Sequence, residues 1–214
     1  MSVTLPYFSD ASTLSGPLPT QQEIETATNT LPTIQHLEYD GRIVLIREQS
    51  VVKYGRYVPE NEGQVLLFIE RNLSIPAPRL YAMYRKEEKA YLIMQYVPGT
   101  DLDTLWSSLS NLDKQSILDQ LQSMFDEMRT RQSTAHSKRK RTSIWLAEKS
   151  RQNWEYNKRH PWIAKFLARN LPVALKDHDS LFTHSDLHPQ NILVQRITDP
   201  QPNEKRYVVA AIID

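Results

Sequence analysis

Phe182-Thr-His-Ser-Asp-Leu-His-Pro-Gln-Asn-Ile-Leu-Val194 sets a His, an Asp and an Asn at fixed intervals ahead of an apolar run. Asp186 stands two residues after His184 and five before Asn191. Those residue types in that order suit phosphoryl transfer, which needs an oriented acceptor oxygen and neutralisation of charge on the phosphates. A carboxylate at Asp186 can take the acceptor's proton as the transition state develops. Asn191 offers a neutral oxygen to Mg²⁺. Magnesium prefers hard oxygen ligands and commonly takes one or two carboxylates beside phosphate oxygens, and Asp214 is the candidate for the second position. The bland alternative is a polar turn ahead of a buried strand. The register of Asn191 and the carboxylate closing the next strand favour the chemical reading, with His184 hydrogen-bonding the loop backbone.

Between Asn191 and Asp214 the pattern predicts two strands, Ile192 to Arg196 and Arg206 to Ile213, around the turn-rich Asp199-Pro-Gln-Pro-Asn203. An antiparallel hairpin returns the chain to its start, so Asp214 is expected beside Asn191.

Further toward the N-terminus, Arg42-Ile-Val-Leu-Ile46 and Ser50-Val-Val-Lys-Tyr54 are β-branched runs on either side of the polar Arg47-Glu-Gln49, which predicts a hairpin carrying Lys53. A strand lysine is either an exposed edge residue that blocks aggregation or a clamp on phosphate. Pro59 to Asn72 follows helical spacing through Val65, Leu66, Phe68 and Ile69. Glu60 and Glu62 open that helix; either can simply complement its dipole, and Glu62 can also hold Lys53 as an ion pair. Ser74-Ile-Pro-Ala-Pro78 stops the helix because proline lacks an amide donor. Arg79 to Tyr84 and Ala90 to Val97 then read as strands around the charged turn Arg85-Lys-Glu-Glu-Lys89. Pro98-Gly99 breaks the second of them. The backbone of Gln95 to Val97 is expected to be left unpaired there, ready to hydrogen-bond an adenine edge.

Composition narrows the classes. The 214 residues carry a formal charge of +1 with acids and bases interspersed, so nothing global suggests a nucleic-acid partner. Cysteine is absent, which removes disulfides and thiol catalysis and agrees with a cytoplasmic setting. No apolar run approaches the ~20 residues of a membrane span. Residues 1 to 31 are rich in Ser, Thr and Pro until Thr20-Gln-Gln-Glu23, which has the form of a capping box opening a short helix; a packed extension and simple disorder both fit. Asp113 to Arg131 reads as a core helix with Ile117, Leu118, Leu121, Met124, Phe125 and Met128 on one face. His136-Ser-Lys-Arg-Lys-Arg-Thr142 is a basic segment read as a solvated loop, and 143 to 171 carries no readable function. With five glycines, neither a P-loop nor Gly-x-Gly-x-x-Gly exists.

Taken in order, Val-Val-Lys53, Asn-Glu62, Ser-Ile-Pro-Ala-Pro78, Ile-Met-Gln-Tyr-Val-Pro-Gly99, His-Ser-Asp-Leu-His-Pro-Gln-Asn191 and Ile-Ile-Asp214 resemble the aminoglycoside phosphotransferase (APH) and choline-kinase-like small-molecule kinases, most closely the fungal members. His188 after Asp-Leu, where protein kinases usually carry Lys, agrees with that group. The resemblance implies an α+β, protein-kinase-like bilobal fold, with an antiparallel sheet in the N-lobe and a mainly helical, incomplete C-lobe. It implies an extension with a short helix over 1–34, an N-lobe over 35–98 and a partial C-lobe over 99–214. It further implies ATP and Mg as cofactors and a small-molecule hydroxyl acceptor. Lys53 would bind the phosphates, Glu62 would position Lys53, and the Gln95 and Val97 backbone would bind adenine. Asp186 would be the catalytic base, with Asn191 and Asp214 on the metal. The family continues well past its second metal aspartate, so a truncated kinase is expected; the alternative is a non-catalytic nucleotide-binding or interaction module.

Overall fold

The computed structural model describes residues 4–10, 12, 14, 16–31, 41–130, 187–198 and 205–213. His184, Ser185, Asp186 and Asp214, the basic segment 136–142 and the aromatic-rich 143–171 lie outside the described residues. The chain divides into two units, Met1–Met124 with Ser185–Asp214, and Phe125–His184. Both sheets belong to the first.

The larger sheet is antiparallel and five-stranded. Its strands are β1 (Tyr7–Phe8), β2 (Arg42–Ile46), β3 (Ser50–Gly55), β4 (Leu80–Lys86) and β5 (Lys89–Gln95), in spatial order β1-β4-β5-β3-β2. Alternation along each strand supplies two apolar faces. On one, Leu80, Met83, Leu92 and Met94 pack with Leu66 and Leu67 of helix α2 (Glu60–Asn72). On the other, Val44, Val52, Tyr54, Tyr91 and Ile93 enclose Ile24 of helix α1 (Gln21–Thr26). Thr20 caps α1, accepting from the Glu23 amide while the Glu23 carboxylate accepts from the Thr20 amide. The described residues of the N-terminal segment thus pack on the sheet, with Leu14, Leu18 and Ala27 against the same cluster as Ile24, and β1 adds a short strand beside β4.

The β2–β3 turn, Arg47 to Gln49, is the one the sequence predicts, whereas the β4–β5 turn is tighter. The β4–β5 pairing runs out to Lys86 opposite Lys89, so the expected five-residue turn shrinks to Glu87-Glu88, with φ of 49° and 64°. A two-residue turn with positive φ matches the twist of the flanking strands, which offsets the unfavourable backbone angles of two glutamates.

The smaller sheet contains β6 (Thr100–Asp101), β7 (Ile192–Thr198) and β8 (Lys205–Ile212), all antiparallel. Gly99 allows the chain to reach it. A Cβ there would lie 3.3 Å from both Leu193 Cβ and the Val194 carbonyl oxygen. Helix α3 (Leu102–Trp106) follows, capped by Asp101, and then α4 (Asn111–Thr130). Ile117 and Leu121 of α4 are buried, whereas Leu118, expected on the same face, is exposed. Gln120 of α4 does what a neighbouring strand would do for β8. Its side chain donates to the Tyr207 carbonyl at 3.1 Å and accepts from the Val209 amide at 3.0 Å. Among the described residues no helix is long and apolar enough to cross a membrane.

Candidate active site

Lys53 lies on β3, between β5 and β2, opposite Leu92 and Ile43. That interior position, with the residue 5 % exposed, excludes the edge-strand account of this lysine. An ammonium withdrawn from water needs a compensating charge, and Glu62 Oε2 stands 2.8 Å from Nζ. Glu62 belongs to the first turn of α2, where its charge also complements the helix dipole. The other acidic residue of that turn, Glu60, turns outward and pairs with Arg85.

The end of β5 departs from expectation. Gln95 is still within the sheet and its amide donates to the Arg79 carbonyl at 2.8 Å; the Tyr96 amide donates to the Gln49 carbonyl at 2.9 Å. Neither N–H is unpaired: Arg79, just ahead of β4, takes the first, and the β2–β3 turn reaches past the last residue of β5 and captures the second.

Leu187 and His188 lead into a single 3-10 turn, Pro189–Asn191. Proline fits its first position because the missing donor would have no partner there. The His188 ring caps the turn, Nδ1 accepting from the Gln190 amide at 3.3 Å, and the Asn191 amide donates to the His188 carbonyl at 2.8 Å. The Gln190 side chain donates to Asp103 Oδ2 of α3 at 3.1 Å. Asn191 is buried at the head of β7.

The hairpin closes at the same point. Ile192 is opposite Ile212, and the Ile213 amide donates to the Asn191 carbonyl at 2.9 Å. Ile213 immediately precedes Asp214 in the sequence. The Ile212 amide donates to the Pro76 carbonyl at 2.9 Å, tying the end of β8 to the loop after α2, the helix that carries Glu62.

The sequence reading missed the capping role of His188 and the Gln190–Asp103 contact. His188-Pro189 did carry a signal, since a polar side chain before proline is a common start to a helical turn.

Residues 55–204, well over half of the chain, match the sequence model of APH, the phosphotransferase enzyme family. The chain belongs to that family. The APH match takes in Glu62, Gln95, Val97, Asp186 and Asn191, and it is flanked by Lys53 and Asp214. Among solved structures the chain is similar to the streptomycin-ATP-APH(2")-IIa ternary complex, with a TM-score of 0.52 and 15 % identity over 92 % of this chain and 71 % of that one. At such identity the likeness speaks for the fold, which is α+β and protein-kinase-like. No curated protein sequence matches the chain.

Proposed function

We propose that this APH-family protein transfers the γ-phosphoryl group of ATP to a hydroxyl of a small molecule, with magnesium. The observation that carries the reading is the enclosed Lys53–Glu62 pair at 2.8 Å on the α2 face of the sheet. A lysine held by a helix glutamate presents a fixed positive charge to phosphate, and that arrangement recurs where kinases bind ATP. Residues 35–98 then carry the nucleotide, with the Gln95 and Val97 backbone on the adenine edge, and 99–214 carry the catalytic turn. The structural neighbour is a complex with streptomycin and ATP, which supports a small polar acceptor beside the nucleotide. An ATP-consuming reaction of this kind belongs in the cytoplasm.

The donor set suits the metal. Asn191 is a buried amide at the head of β7, and its carbonyl holds the residue directly before Asp214. An amide oxygen and a carboxylate are hard ligands of the type magnesium takes. When bound there, magnesium neutralises charge on the phosphates. Asp186 orients the acceptor hydroxyl and removes its proton. The acceptor oxygen forms the new bond to γ-phosphorus as the bond to the β-phosphate oxygen breaks, and ADP leaves. Lys53 holds the phosphates in line while Glu62 fixes the direction of the ammonium. His188 and Gln190 hold the backbone turn on which Asn191 sits.

Thermal unfolding with and without ATP and Mg²⁺ tests this directly. Ligand at a hundred times its Kd stabilises the native state by about 2.7 kcal/mol. The wild type should gain a Tm increase of that origin, and Lys53→Ala combined with Asp186→Ala should gain none relative to its own unliganded Tm. A wild type indifferent to ATP contradicts the reading; stabilisation without turnover makes the protein a non-catalytic nucleotide-binding module.

A further inference from the structure

The residue after Glu62 is Gly63, inside α2. Glycine weakens a helix relative to alanine because it surrenders more backbone freedom on folding. Packing explains its presence. A Cβ at Gly63 would stand 2.6 Å from Met83 Sδ and 3.2 Å from Leu80 Cδ2. Both neighbours belong to β4, are fully buried, and pack with Leu66, Leu67 and Leu92. Met83 is flanked by Tyr7 of β1 on one side and Leu92 of β5 on the other. A thioether is flexible, but this one is enclosed by strands on both sides and by α2 above.

Building on the phosphotransferase reading, we propose that Gly63 is a positioning residue: its bare Cα lets the first turn of α2 settle against β4 closely enough for Glu62 to reach Lys53. Any side chain at this position lifts that turn from the sheet. The lift falls on the residue before it, so the carboxylate withdraws from the ammonium while the rest of α2 stays packed through Leu66 and Leu67. Gly63 therefore acts through Glu62 and touches no substrate.

The test compares Gly63→Ala, Met83→Val and the double variant in the full chain. Two readouts are taken: kcat/KM for ATP turnover, and the rate at which an amine-reactive acylating reagent labels Lys53, read by peptide mass spectrometry. Gly63→Ala should lower kcat/KM about tenfold or more, the scale of a small misplacement in a phosphate-binding site. It should also raise Lys53 labelling several-fold. Met83→Val removes the sulfur that the introduced methyl group would meet, so the double variant should recover both toward the wild type. Unchanged labelling in a folded Gly63→Ala overturns the proposal, as does a loss that Met83→Val does not relieve, including a single variant that unfolds and a double that unfolds with it. A wild type inert toward ATP removes the phosphotransferase reading, and the labelling arm then decides the role of Gly63 in the Lys53–Glu62 pair by itself.

Discussion

Lys53 Nζ meets Glu62 Oε2 at 2.8 Å with the two side chains 6 % and 15 % exposed. Separating such a pair costs more than the pair contributes, because it strands a charge in a poorly solvated place. Glu62→Leu alone should therefore destabilise by about 3 kcal/mol, whereas Lys53→Met with Glu62→Leu should cost less than the single change. Urea unfolding of the two variants checks this; equal or additive losses contradict it. Affinity for ATP should fall in both.

Acid sensitivity should trace partly to the N-terminal extension. Hydrogen bonding from the Arg47 guanidinium, then from the Thr20 amide and hydroxyl, holds the Glu23 carboxyl down at about 2 against an ordinary 4.5. A carboxylate with a lowered folded-state pKa stabilises above its unfolded value and loses that contribution as pH falls through the folded one. Between pH about 4.5 and about 2, the fall in Tm should be shallower for Glu23→Gln than for the wild type. Parallel curves would show that the Arg47–Glu23 contact does not couple to folding.

The amide of Gln120 substitutes for a strand along β8, making both bonds that a neighbour's backbone would make. Gln120→Leu leaves the Val209 N–H and Tyr207 carbonyl without those partners, at a cost of about 1–3 kcal/mol. Hydrogen exchange at the Val209 amide should accelerate before other β8 amides do. Exchange that stays slow would mean the edge is satisfied some other way.

Ile24 is fully buried against Val44, Val52, Tyr54 and Tyr91, on the face of the sheet opposite α2. Ile24→Ala should cost about 2–5 kcal/mol, the range for a core truncation. Thermal unfolding measures it. A loss below about 1 kcal/mol would contradict the packed extension.

The parts of the fold that were legible in the sequence are those written in local patterns. β2, β3, β4, β5 and α2 follow alternation or helical spacing, and the β7–β8 hairpin follows from two apolar runs and a turn-rich link. Pairings other than those hairpins were not legible. Tyr7–Phe8 is too short for any period to register, so its place beside β4 appears only in the folded chain. Lys53 left two readings open because a strand lysine looks the same at an edge or inside a sheet; the flanking of β3 by β5 and β2 removes the edge reading. The paired amides of Gln95 and Tyr96 depend on Arg79 and Gln49, contacts that no local pattern encodes. Gly63 carried a signal that passed unread, since an isolated glycine inside a helical pattern costs about 1 kcal/mol against alanine.

The most direct measurement is transfer of label from ATP carrying a marked γ-phosphate, in the presence of Mg²⁺, to a panel of aminoglycosides, amino alcohols and other small hydroxyl compounds. The wild type should place the label on a small-molecule oxygen, and Asp186→Asn should bind ATP as before while transferring at least about a hundredfold more slowly, the lower range for loss of a general base. No labelled product from the wild type across the panel, or an Asp186→Asn rate equal to the wild type's, would contradict the account.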